Sequence, residues 1–189
     1  IRERNLGTAP PIFDDRIDKG RERIKIYITA PSLASVSYQG DGNISVAELQ
    51  GSKTSMTLIG NGTGMVQRVD SDNLVSNING RAVLTLLGNT KRHRVVLRGY
   101  GGVDALELRS ENAEIIAEGP VIAEIAVSDS VSGLANDGAD VLVIGTEDCS
   151  VRTPSQDRAY GSGLAAANVR CILVDDRPEE ETQSGEADK

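Results

Sequence analysis

Asp104, Glu107, Glu124 and Asp140 are the acids whose types and spacing could do chemistry, standing at similar phases of a spacing near 20 residues. A fold that stacked those phases would bring the carboxylates to one side, and converging carboxylates are what glycoside hydrolysis uses. Charged residues also line the outside of any stacked β structure, and that plainer reading is preferred. The strings Gly101-Gly102-Val103-Asp104-Ala105-Leu106 and Asp137-Gly138-Ala139-Asp140-Val141-Leu142 echo a calcium-binding nonapeptide. That motif shares each ion between consecutive copies, and these two are isolated. His93, the single histidine, lies in Lys91-Arg92-His93-Arg94 and reads as part of a solvated charged corner. No Ser–His–acid spacing accompanies it, and no phosphate-loop motif occurs. The chain is therefore expected not to be an enzyme, and no cofactor or metal is implied.

Cys149 and Cys171 are the only cysteines. With one histidine beside them they are too few for a metal centre. A disulfide closing a loop of about 20 residues is the preferred reading, worth roughly 3 kcal/mol in the loop-entropy model. It would place the chain in an oxidising compartment: periplasm, cell surface or outside. Two buried, unpaired thiols are the alternative.

The elements that would carry these residues announce themselves through glycine. Gly40, Gly60, Gly80, Gly99, Gly119 and Gly138 are spaced by 20, 20, 19, 20 and 19 residues. Four before each anchor stand Val36, Met56, Ser76, Val95, Ile115 and Leu134. Two before stand Tyr38, Leu58, Ile78, Leu97, Ala117 and Asn136. Four and six after come further apolar pairs, from Ile44 and Val46 to Leu142 and Ile144. Ser76, Gly64 and Asn136 are the three exceptions. Apolar residues two apart are the period of a strand with one buried face. Equivalent positions that recur every 19–20 residues predict coils stacked about 4.8 Å apart. The expected fold is all-β: a right-handed parallel β-helix, or solenoid, of about six coils. The glycine column marks a sharp corner where φ is positive, with Gly42, Gly62 and Gly101 at a second bend two residues on. Antiparallel hairpins in a sandwich are the alternative.

Composition agrees with a narrow core. The 189 residues include no Trp, one Phe, four Tyr and 20 Gly, and the apolar content is mostly Val, Ile, Leu and Ala. A net charge of −8 speaks against nucleic acid as the main partner. No apolar run approaches the roughly 18 residues of a membrane span, so a soluble chain is expected. Ile1 reads as a processed or cut end, compatible with a removed secretion signal.

Four regions are expected. Residues 1–32 form an N-terminal cap whose stretch Arg23–Thr29 alternates as a lead-in strand. Residues 33–148 carry the repeats. Residues 149–174 make a disulfide-closed C-terminal cap, and 175–189, with seven acids against two bases, a flexible acidic tail.

The stretch Ile24–Val46 (IKIYITAPSLASVSYQGDGNISV), with Gly-x-Gly corners at Gly40/Gly42, Gly60/Gly62 and Gly99/Gly101, resembles the auto-transporter adhesin head GIN domain. The ending Cys149 … Gly161-Ser162-Gly163 … Val169-Arg170-Cys171 is similar to a disulfide-closed last coil in some members. The resemblance implies a right-handed β-helix in an exported bacterial protein without catalytic residues to carry over. The expected partners are a surface glycan, a surface protein, or copies of the chain itself in a fibre or array. Tyr27, Tyr100 and Tyr160 are the aromatics available to an outer face, and Tyr38 points inward by phase.

Overall fold

A computed structural model describes residues 25–153 and 167–173. The chain divides into two compact units, 1–30 and 31–189. Of the first, residues 25–30 are described, and they belong to no strand. Of the expected lead-in stretch Arg23–Thr29, residues 25–29 are described and Arg23 and Ile24 lie outside the described residues. The remainder of the N-terminal cap, the acidic tail, Tyr160 and Gly161–Gly163 lie outside the described residues.

The second unit is a single sheet wound on itself. Its strands are β1 (Ser35–Gly40), β2 (Asn43–Val46), β3 (Leu49–Gly60), β4 (Thr63–Gly80) and β5 (Val83–Gly99). There follow β6 (Gly102–Glu118), β7 (Ile122–Asn136), β8 (Asp140–Ile144), β9 (Asp148–Arg152) and β10 (Asn168–Ile172). Every pairing is parallel, and the path runs β1-β3-β4-β5-β6-β7-β8-β10, with β2 on β4 and β9 on β7. The result is a β-solenoid of about six turns, and no described residue is helical. The hairpin sandwich is excluded by the parallel register.

Stacking puts like on like. Gly40 pairs with Gly60, Gly60 with Gly80 and Gly80 with Gly99. At Gly99 φ is +106°, and an added Cβ would sit 2.6 Å from the carbonyl oxygen of Gly80 below. Positive φ and the close coil-to-coil approach both demand glycine there. Inside, Val95 and Leu97 stand over Ser76 and Ile78, and Val103 and Ala105 fill the other wall. Burying each Val, Leu or Ile is worth about 1.5–3 kcal/mol, so the fold rests on short aliphatic ladders.

The three exceptions to the apolar rule have separate causes. Gly64 leaves room for two leucines: a Cβ there would lie 2.7 Å from Leu58 Cδ1 and 3.1 Å from Leu84 Cδ1. Ser76 is buried and hydrogen-bonds His93 Nε2 at 2.9 Å. Asn136 reflects a register one residue different from the expected one. Glu118 pairs with Asn136, so Asp137, not Gly138, occupies the corner position that follows Gly119. Asp137 is the one non-glycine described residue at positive φ (+54°), and Gly138 follows at +86°. The two form a tight turn closed by Ala139 N donating to Asn136 O. Ala135, Val141 and Val143 therefore point inward in the last coil, in place of the expected Leu134, Asn136, Leu142 and Ile144.

At the far end β9 lies on β7 and β10 on β8. Cys149 stacks on Val131 and Cys171 on Val143. They form a disulfide with Cα atoms 6.5 Å apart, 22 residues apart in sequence. The bond ties the first strand of the closing coil to its last.

Candidate functional site

One edge of the solenoid is concave because successive coils take different numbers of residues to turn it. Val66 and Val69 bracket two residues, whereas the paired Leu86 and Gly88 bracket one. Ala105 and Ser110 bracket four residues where Ile125 and Val127 bracket one. Coils that cut the corner lie behind coils that swing wide, and a groove of about 890 Å³ runs along the edge.

Three ladders line it. Gln50, Asp70, Asn89 and Arg109 form one wall, paired in sequence from coil to coil. Their side chains are exposed and hydrogen-bond to no other described residue. Asp72, Lys91 and Glu111 form the other wall. Lys91 Nζ lies 2.7 Å from Asp72. That ammonium holds the Asp72 carboxyl below its ordinary range by hydrogen bond and charge, and Lys91 is raised in return.

Gly51, Ser71, Thr90 and Ser110 make the floor, in register. Ser71 Oγ donates to Asn73 O at 2.9 Å, and Thr90 Oγ1 to Arg92 O at 3.2 Å. Each hydroxyl thus satisfies the carbonyl two residues on, which secures the bend. Ser110 departs from this pattern. It is 2% exposed, and its Oγ has no hydrogen-bond partner. Ala126, Val127 and Ile144 extend the lining over the last coils.

The residues singled out in sequence are distributed otherwise. Asp104 and Glu124 are neighbours on an outward ladder. Asp140 stands one column away, 3.2 Å from Arg170, and Glu107 lies in the outward swing of β6. None of these four lines the groove. Among the described residues no three His, Cys, Asp or Glu side chains gather as a metal site. Tyr100 is exposed beneath the guanidinium of Arg81, 5.7 Å from the ring centre. Tyr38 is half-buried, and its hydroxyl accepts a hydrogen bond from Gly42 N at 2.7 Å. Tyr27 is exposed within the first unit.

His93 is corrected outright. It is not a solvated corner but a core residue, 1% exposed, stacked between Leu74 and Ala113. Strand alternation turns it inward while Arg92 and Arg94 turn outward. Burial pushes its pKa down to about 3, so the ring is neutral, with Nδ1 unpartnered.

The groove ladders themselves escaped sequence reasoning. Their signal was present: Gln50, Asp70, Asn89 and Arg109 recur at 20, 19 and 20 residues, the period of the glycines. Polar residues at that period are what a solenoid with a solvated edge shows everywhere, so periodicity alone did not separate groove from surface.

A family model described as "Putative auto-transporter adhesin, head GIN domain" matches residues 11–146. The chain belongs to that family. The match ends before Cys149, so the disulfide coil is a feature of this chain's own structure. No curated protein and no solved structure matches. The family's description and the disulfide together point to an exported or surface location and to an adhesin-like, non-enzymatic role. No helix among the described residues is long and apolar enough to cross a membrane.

Proposed function

We propose that this chain is a non-catalytic binding module of the periplasm or cell surface that holds a surface glycan or protein in its lateral groove. The observation that carries the reading is the wall Gln50–Asp70–Asn89–Arg109. Four exposed polar side chains stand in register, with no side-chain partner among the described residues, along the groove. Polar groups aligned and without a partner among the described residues are available to a ligand, whereas several other outward ladders pair from coil to coil. Arg94 pairs with Glu114, Arg98 with Glu118, Thr63 with Asn43 and Asn61 with Asp41.

The test is binding of the purified chain to immobilised panels of bacterial and host surface glycans and surface proteins. The Asp70→Arg/Asn89→Arg double variant, both positions exposed, fills the groove. The expected result is a hit that this variant loses while its melting temperature stays put. A hit that the variant retains places the binding site elsewhere and refutes the reading.

A further inference from the structure

The groove also carries information about what it holds. We propose that its ligand is a single unbranched, uncharged polysaccharide chain lying along the solenoid axis, about one sugar per coil. This rests on the groove being the binding site, and adds the ligand's chemical class and direction.

Three observations lead there. First, the groups repeat along the axis and not across it. Coils rise by about 4.8 Å, so a ligand running along the axis meets an equivalent set of groups at each step. The groove spans six coil levels, from Gln50 to Gly145, a length of about 24 Å at that rise. A pyranose chain has a repeat comparable with one coil rise. An extended polypeptide repeats at about 3.3 Å per residue and alternates faces, so its groups fall out of step with the ladders. Its backbone would also cross the coil strands at right angles and gain no strand addition.

Second, the field is mixed. Asp70, Asp72 and Glu111 alternate with Lys91 and Arg109, so a polyanion and a polycation each meet like charge within the groove. An uncharged hydroxyl-bearing chain meets acceptors from Asp70 and donors from Asn89 and Arg109 without a charge penalty.

Third, the lining turns apolar over the last coils. The half-buried Ala126 and Ile144 offer an apolar strip, suited to the C–H faces of sugar rings.

The experiment is calorimetric titration of the whole chain with cello-, chito-, malto- and isomalto-oligosaccharides of two to eight units. Heparin and poly-glutamate serve as charged comparators. One neutral series is expected to bind, with affinity rising at each added unit to about six and flat thereafter. Raising salt from 50 to 500 mM should change that affinity less than about twofold. Asp70→Ala should weaken it roughly tenfold, as for loss of one hydrogen bond to a charged group. Asn89→Ala should weaken it as well, and neither exposed substitution should move the melting temperature. If no neutral series binds, or affinity does not grow with length, the polysaccharide assignment is overturned. If a charged polymer binds instead and Asp70→Arg/Asn89→Arg abolishes it, this inference falls and the groove reading stands. If a neutral series binds and that variant leaves it unchanged, the groove reading falls too.

Discussion

Acid should destabilise this solenoid through one buried side chain. His93 has an ordinary pKa of 6.5 that burial pushes down to about 3. Its folded-state pKa is depressed, so as pH falls the unfolded chain takes up the proton first. The neutral ring's contribution is complete above about pH 6.5 and is lost progressively between there and pH 3. Linkage sets the slope at about 1.4 kcal/mol per pH unit well below 6.5, or about 2 kcal/mol between pH 7.5 and 5. Stopping at pH 5 keeps most carboxylates ionised, Asp72 included. The comparator is Ser76→Val/His93→Leu, which replaces both partners of the 2.9 Å hydrogen bond by apolar residues. Leucine there stacks on Leu74, and valine lies between Met56 and Val95. Exchanging both partners avoids an orphaned hydroxyl and can be neutral in stability. Urea unfolding at pH 7.5, 6.5, 5.5 and 5.0 reads the difference. Wild type should lose about 2 kcal/mol more than the double variant over that range. Equal slopes in the two proteins would refute the account of His93 as a neutral core residue.

Other consequences can be checked alongside. Gly99→Ala forces a Cβ to 2.6 Å from Gly80 O at φ +106°, whereas a Cβ at Gly51 would meet nothing nearer than 3.8 Å. Thermal unfolding should show Gly99→Ala losing more than about 3 kcal/mol and Gly51→Ala about 1–2 kcal/mol, the cost of positive φ alone. Gly64→Ala drives a methyl between Leu58 and Leu84 and should cost about 1–3 kcal/mol by overpacking, without altering the hydrogen-exchange pattern of other coils. Cys149→Ser/Cys171→Ser should remove roughly 3 kcal/mol, and the loss of exchange protection should begin in β9 and β10 and spread no further at first. Light scattering over a hundredfold concentration range should hold at 20.0 kDa; a rising mass would favour a self-assembling fibre subunit over a binding module.

The fold was legible because a solenoid writes its geometry into sequence period. Each coil must return the chain to the same corner, and only glycine tolerates that corner from Gly40 to Gly119. The reading slipped in the last coil because two residues there share the corner's work. Asp137 takes the first positive φ, and the glycine at 138 drew the register one residue too far. Asn136 among apolar positions was the trace of that slip. His93 was misjudged because its neighbours are basic. Side-chain direction in a strand alternates regardless of neighbours, and Ser76 in the adjoining coil was the matching clue. The groove was the least legible feature. It arises from how many residues each coil spends between Val66 and Val69 or between Ala105 and Ser110, a difference of one to three residues that hydrophobic pattern does not display.

The claim at the centre of this account is that ligand occupies the edge lined by Asp70, Asp72 and Glu111. Carbodiimide labelling of carboxylates, read by mass spectrometry with and without bound oligosaccharide, tests it most directly. Asp70, Asp72 and Glu111 should be protected, while Asp104 and Glu124 on the outward ladder label as before. Protection of Asp104 and Glu124 with the groove acids unchanged would contradict it.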